Sequence, residues 1–163
     1  MKTIKVLSQN LFDIYCANIG LNDSNIEDYK DYVYISIIGT PECLKYYLDE
    51  GNTCHYFSSD HENVINLEFD DISEDEMEYN GHIFRGLSME QAEKLFNFIE
   101  KNIDKNFIIH CRAGHSRSQA VGSFIKDFYP DFESYTILPY CNKDVYRKLS
   151  RCYYKKYNPE YKL

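Results

Sequence analysis

The chain has no tryptophan, four prolines and seven glycines among 163 residues, and its six cysteines include no C-x-x-C pair. The prolines and glycines are dispersed, so no linker divides the chain and no repeat or low-complexity architecture is encoded. The longest apolar stretch, Tyr32 to Ile38, is far short of the ~20 residues a membrane-spanning helix requires. The opening MKTIKVLSQN alternates and lacks the apolar block of a secretory signal, so a cytoplasmic, reducing location is expected. Basic residues are also scarce. The 18 Lys and Arg stand against 26 Asp and Glu, a formal net charge of −8. That balance argues against general nucleic-acid binding, yet it leaves room for one small cationic pocket. Cys16, Cys43, Cys54, Cys111, Cys141 and Cys152 follow no zinc or redox-pair spacing, and all except Cys111 are expected to be buried small hydrophobes.

What is present fits one compact domain over residues 1–163. Hydrophobic residues make up 44% and charged residues 27%, and a chain of this length buries roughly two thirds of its unfolded surface. Runs rich in β-branched and aromatic residues at Ile4 to Leu7, Tyr32 to Ile38, Val64 to Phe69 and Phe107 to His110 predict strands. The last three are strongly apolar, as strands covered on both faces are. Helical patterns lie between them. Thr40 and Pro41 start a short helix expected through Leu48 and stopped near Gly51. Ser88 and Gln91 form a capping-box pattern ahead of Ala92, Leu95, Phe96, Ile99 and Ile103. A second stripe, Ala120, Val121, Phe124, Ile125 and Phe128, ends at Pro130, and a last helix is expected from about Lys143 to Tyr154. Strands alternating with helices predict an α/β three-layer fold, with a mostly parallel sheet of four or five strands and helices on both faces.

Charge is unevenly distributed. Asp60 to Glu78 holds nine acidic residues and no Lys or Arg, whereas Cys141 to Leu163 holds seven Lys or Arg against Asp144 and Glu160. Both blocks are expected to be solvated faces, with mutual attraction as the alternative.

The segment that carries chemistry is Phe107-Ile108-Ile109-His110-Cys111-Arg112-Ala113-Gly114-His115-Ser116-Arg117-Ser118. It reads as a buried strand, a loop and a helix start. A turn from Cys111 to Arg117 at a helix N-terminus directs backbone N–H groups inward, and the helix dipole adds positive potential there. The result is a nest for a tetrahedral oxyanion. Gly114 lets the loop curve, and the Arg117 guanidinium offers two parallel N–H bonds that a lysine lacks. The same field favours a thiolate, so Cys111 is expected to be ionised at neutral pH and to act as a nucleophile.

HCRAGHSRS resembles the loop of the cysteine-dependent protein phosphatases, His-Cys, five residues, Arg, then Ser or Thr. The resemblance implies that Cys111 attacks phosphorus to form a phosphocysteine, that Arg117 holds the equatorial oxygens, and that Ser118 assists departure of the thiolate. It also implies that His110 orients the loop behind the cysteine, and that no metal or other cofactor takes part. A general acid is required to protonate a poor leaving group. Phe69-Asp70-Asp71-Ile72 resembles the Phe-Asp-Asp element of some dual-specificity enzymes, in which the second aspartate acts; Asp71 is therefore the expected acid, with Asp70 as alternative. The spacing from Asp71 to Cys111, 40 residues, exceeds that of compact members, and an insertion around Glu74 to Gly86 would account for it.

The short chain, the missing Trp-Pro-Asp loop and the late position of the cysteine resemble the compact dual-specificity branch. The implied activity is hydrolysis of phosphate monoesters on Tyr and Ser/Thr of proteins. Arg112 and His115 occupy variable loop positions that phosphoinositide phosphatases fill with basic residues, so an inositol phosphate or an RNA 5′ end stands as an alternative substrate. A phosphate-binding pseudophosphatase and a redox role for Cys111 with Cys54 or Cys141 are further alternatives.

Overall fold

The computed structural model describes residues 1–47, 53–134, 136–139 and 141–160. In chain order the elements are β1 (Lys2–Ser8), α1 (Gln9–Asn18), a 3-10 turn (Ile26–Asp28), β2 (Tyr32–Ile38), α2 (Pro41–Tyr46) and β3 (Val64–Glu68). There follow β4 (Glu76–Tyr79), β5 (His82–Arg85), α3 (Met89–Lys101), β6 (Asn106–Cys111), α4 (Arg117–Phe128), β7 (Phe132–Ser134) and α5 (Lys143–Tyr157). Five strands form one parallel sheet in the order β3-β2-β6-β1-β7. The fold is therefore α/β, with a parallel sheet between two helical layers.

Strand periodicity divides the layers. Phe107, Ile109 and Cys111 of β6 belong to a core shared with α3, α4 and α5, which contribute Leu95, Phe96, Val121, Phe124 and Leu149. Ile108 faces the opposite layer, where it meets Phe12 and Cys16 of α1, Tyr34 and Phe57. Withdrawing a side chain such as Leu95 or Phe124 from water stabilises the fold by roughly 1.5–3 kcal/mol each. At the start of α3, Ser88 and Gln91 form the expected reciprocal cap, and the Gln91 amide reaches across to the Glu68 carbonyl at 2.9 Å.

Several expectations change in detail. The α3 stripe stops at Lys101, so Ile103 packs on the core from beyond the helix. Helix α2 is described to Tyr46, with Leu48 and Gly51 outside the described residues. Cys16, Cys111 and Cys152 are buried, but Cys54 is exposed and Cys43 and Cys141 are half-buried, which corrects the expectation of five buried thiols. Cys54 sits in an irregular segment where neither helix nor strand gives its side chain a core face.

Residues 74–86, expected as an insertion, contain a two-stranded antiparallel hairpin, β4 with β5. Asn80 and Gly81 turn it with φ of 50° and 77°, the paired left-handed conformation that an Asn-Gly turn supplies. The hairpin packs on α2 through Tyr46, whose ring lies 5.5 Å from that of Phe84 and 4.8 Å from that of His82. Between the two charge blocks, Lys148 of α5 reaches Asp75 at 2.6 Å. Lys155 and Lys156 approach Glu93 and Glu100 of α3 instead. No described helix is long and apolar enough to cross a membrane.

Candidate active site

All five strands run in one direction, so the carboxyl ends of β1, β2, β3 and β6 open at one edge of the sheet, the usual location of a site in such a fold. Cys111 is the last residue of β6, in register with Ser8 at the end of β1. Residues 112–116 form the loop, and α4 begins at Arg117. Gly114 adopts φ of 74°, and a Cβ there would lie 2.8 Å from the backbone of Leu7 and Ser8. Only glycine lets the loop lie this close to β1. The loop is pinned by Gln9 N–H to the Arg112 carbonyl at 3.0 Å and by the Gln119 amide to the Gly114 carbonyl at 2.9 Å.

Cys111 is 2% exposed, and its Sγ lies 2.9 Å from the Ser118 hydroxyl. Burial pushes the thiol pKa up. The Ser118 hydroxyl and N–H, the Arg117 charge and the Ser116 N–H more than reverse that effect, so the net shift is downward. The surroundings of the sulfur thus favour the thiolate more than water does.

Arg117 is buried, and its Nη1 donates to the Phe69 carbonyl at 2.8 Å. Its Nε is buried with no hydrogen-bond partner. A buried guanidinium with an unmatched donor is costly unless an anion meets it. Arg117 also lines a cavity of about 310 Å³ together with Arg112, Asp71, Gln9 and the apolar side chains of Leu44, Tyr47, Met77 and Phe84.

The two candidate acids both line the cavity, but their surroundings differ. Asp70 is 2% exposed, and its carboxylate accepts from Thr40 N–H at 2.8 Å, the Thr40 hydroxyl at 2.7 Å and Arg85 N–H at 2.8 Å. It cross-links the β2–α2 turn to the hairpin. Beside it, burial and the Asp70 charge push the Cys43 thiol up to about 12. Asp71 is exposed at the cavity, and its Oδ1 accepts from the Ser116 hydroxyl and the Asn142 amide, both at 2.8 Å. Ser116 stands at the N-cap of α4 without capping it, its hydroxyl being used on Asp71.

His110 is fully buried behind the loop, where burial lowers its pKa to about 4 and keeps it neutral. Its Nδ1–H donates to the Cys111 carbonyl at 3.2 Å. Arg112 is exposed with its guanidinium 6.0 Å from the Tyr47 ring centre, while His115 and Ala113 face solvent. Asp71 and Arg117 thus line the cavity, Ser116 joins them through its bond to Asp71, and Cys111 sits buried beside Ser118, behind the lining; His115 makes none of these contacts.

Four contributing residues were not evident in the sequence. Asn142 caps α5 through its Oδ1 while its amide also holds Asp71 and the Ile72 carbonyl; Asn preceding a helix was its one visible signal. Met77 and Phe84 reach the cavity from the hairpin, which the Asn-Gly pair announces. Buried Lys148 ties the same region down through Asp75 and the Leu87 carbonyl, each at 2.6 Å. Among the described residues no three His, Cys, Asp or Glu side chains converge as a metal site would. No protein-family model, characterised protein or solved structure matches the chain.

Proposed function

We propose that the chain is a cysteine-dependent phosphatase of the dual-specificity type, acting on phosphate monoesters of proteins. The observation that carries this reading is the pairing of a thiol of lowered pKa with a buried, inward guanidinium whose Nε has no partner. A thiolate-favouring site beside a planar cation suits a phosphoryl group better than a carbonyl or a glycoside.

In the first step the Cys111 thiolate attacks phosphorus, an S–P bond forms and the P–O bond to the leaving group breaks. Asp71 gives its proton to the departing oxygen. With Oδ1 engaged by Ser116 and Asn142, that proton resides on Oδ2. Arg117, anchored through Nη1, turns its Nε and Nη2 edge to two equatorial oxygens. In the second step water attacks phosphorus, Asp71 takes the water proton, and the S–P bond breaks to return the thiolate. The Ser118 hydroxyl, 2.9 Å from Sγ, stabilises the sulfur as it leaves.

The cavity wall bears on the carrier of the phosphate. Leu44 and Tyr47 of the α2 region face Met77 and Phe84 of the hairpin beside Arg112 and Arg117. An apolar wall next to a cationic floor favours phosphate on an aromatic ring, so we place phosphotyrosine ahead of inositol phosphates and RNA ends. The chemistry requires a reduced thiol and hence a reducing compartment.

The test is turnover of an aryl phosphate with and without vanadate, alongside Cys111→Ser and a panel of phosphopeptides, inositol phosphates and RNA 5′ ends. Vanadate-sensitive hydrolysis that vanishes in Cys111→Ser is expected. Turnover surviving that substitution would overturn the proposal, and phosphoprotein capture without phosphate release by the unaltered chain would replace it with a binding role.

A further inference from the structure

On the α1 face of the sheet, behind the loop, three side chains stand in line. His55 Nδ1 lies 2.7 Å from Ser36 Oγ, and Ser36 Oγ lies 2.6 Å from His110 Nε2. His110 Nδ1 in turn lies 3.2 Å from the Cys111 carbonyl. Ser36 and His110 are neighbours in register on β2 and β6, and both are fully buried.

The proton positions in this line follow from what each atom can do. A carbonyl only accepts, so His110 Nδ1 carries hydrogen. The ring is neutral, packed 4.2 Å centre to centre against Phe12, which leaves Nε2 bare to accept from the Ser36 hydroxyl. Ser36 has spent its one proton and can only accept from the other side. His55 therefore carries its hydrogen on Nδ1, and its Nε2 is left bare. That nitrogen is buried with no hydrogen-bond partner, so no acceptor there calls for a proton on it. Every hydrogen bond points toward the nucleophile.

The segment holding His55 is irregular but anchored. Gln9 donates its amide to the Cys54 carbonyl at 3.1 Å and its backbone N–H to the Arg112 carbonyl at 3.0 Å. The Tyr56 hydroxyl reaches the Leu21 carbonyl at 2.6 Å, and Phe57 is fully buried. Two consecutive carbonyls of the loop, at Cys111 and Arg112, are thus tied toward this one segment.

Resting on the phosphatase reading above, we propose that His55 and Ser36 are positioning residues that fix the Cys111 peptide plane through His110. A trans peptide carries its C=O and N–H on opposite sides. Holding the Cys111 carbonyl against His110 therefore turns the Arg112 N–H away from it, and with it sets the course of the loop. Neither residue lines the cavity.

Two measurements decide this. In the unaltered protein, nitrogen-15 histidine spectra are expected to show the Nδ1–H form for both His55 and His110; the Nε2–H form in either ring overturns the assignment. In variants, His55→Ala and Ser36→Ala are expected to lower kcat on an aryl phosphate roughly tenfold and to move the pH midpoint of Cys111 alkylation upward. His55→Asn and Ser36→Thr, which keep a donor and a hydroxyl, are expected to retain kcat within about threefold. A folded His55→Ala with unaltered kcat and alkylation midpoint overturns the proposal. Spectra and alkylation need no turnover, so an unaltered protein that fails to hydrolyse any phosphate ester defeats the phosphatase reading while leaving this one to be judged separately.

Discussion

The Asn142 amide donates to Asp71 Oδ1 at 2.8 Å, joining the first turn of α5 to the candidate acid. This carboxylate is thus held by the α5 end of the chain. Asp71→Asn is expected to cut kcat by roughly 10²–10⁴ on alkyl phosphates, and far less on aryl phosphates with good leaving groups. Asn142→Ala is expected to show the same leaving-group dependence in weaker form, roughly tenfold. A series of phosphate esters graded by leaving-group pKa checks both. Equal losses across the series would count against Asp71 as the acid.

Ser118 touches the sulfur at 2.9 Å and contributes to its lowered pKa. Ser118→Ala is expected to move the pH midpoint of Cys111 alkylation upward and to slow the second step more than the first. Rapid-quench measurement should then find phosphoenzyme accumulating after an initial burst.

Phe84 and Met77 wall the cavity from the hairpin. Phe84→Ala is expected to raise KM for an aryl phosphate roughly tenfold, the equivalent of about 1.4 kcal/mol of lost apolar contact, with KM for a small alkyl phosphate little changed. Steady-state kinetics on the two substrates separates the outcomes.

Gly114→Ala places a methyl group 2.8 Å from the β1 backbone at φ of 74°. Neither strand nor loop can yield cheaply there, so a loss of about 3 kcal/mol in urea unfolding is expected, together with loss of activity.

Burial lowers the His110 pKa to about 4, against 6.5 for an unhindered histidine. The unfolded chain binds more protons between these values. The contribution is therefore fully present above about pH 6.5 and is lost as pH falls toward 4, by on the order of 2–3 kcal/mol. Urea midpoints measured from pH 7 to pH 4.5 are expected to fall, with a flatter profile in His110→Asn.

The loop from Cys111 to Ser118 was legible because its residue types are dictated by local chemistry: a backbone nest, one glycine, one guanidinium. The sheet was legible because β2, β3 and β6 carry strongly apolar runs, broken only by single polar residues such as Ser36 and Asn66. Helix α1 was not, since Ser8 caps it but only Gln9, Phe12 and Cys16 on it are buried, too thin a stripe to stand out. The choice between Asp70 and Asp71 rested on resemblance alone. Which carboxylate turns inward depends on Thr40 and Arg85, thirty and fifteen residues away, and no local pattern records that. The same holds for Ser36, His55 and His110, which become a line only once β2 and β6 are paired.

Phe69, Asp70, Asp71 and Ile72 are each fastened: to Arg117, to Thr40 and Arg85, to Ser116 and Asn142, and again to Asn142. A segment strapped at four successive residues has no room to swing as a lid. Under the proposed function, proton delivery from Asp71 needs no large excursion of the chain, and thickening the solvent with glycerol is expected to leave the chemical step at its usual pace.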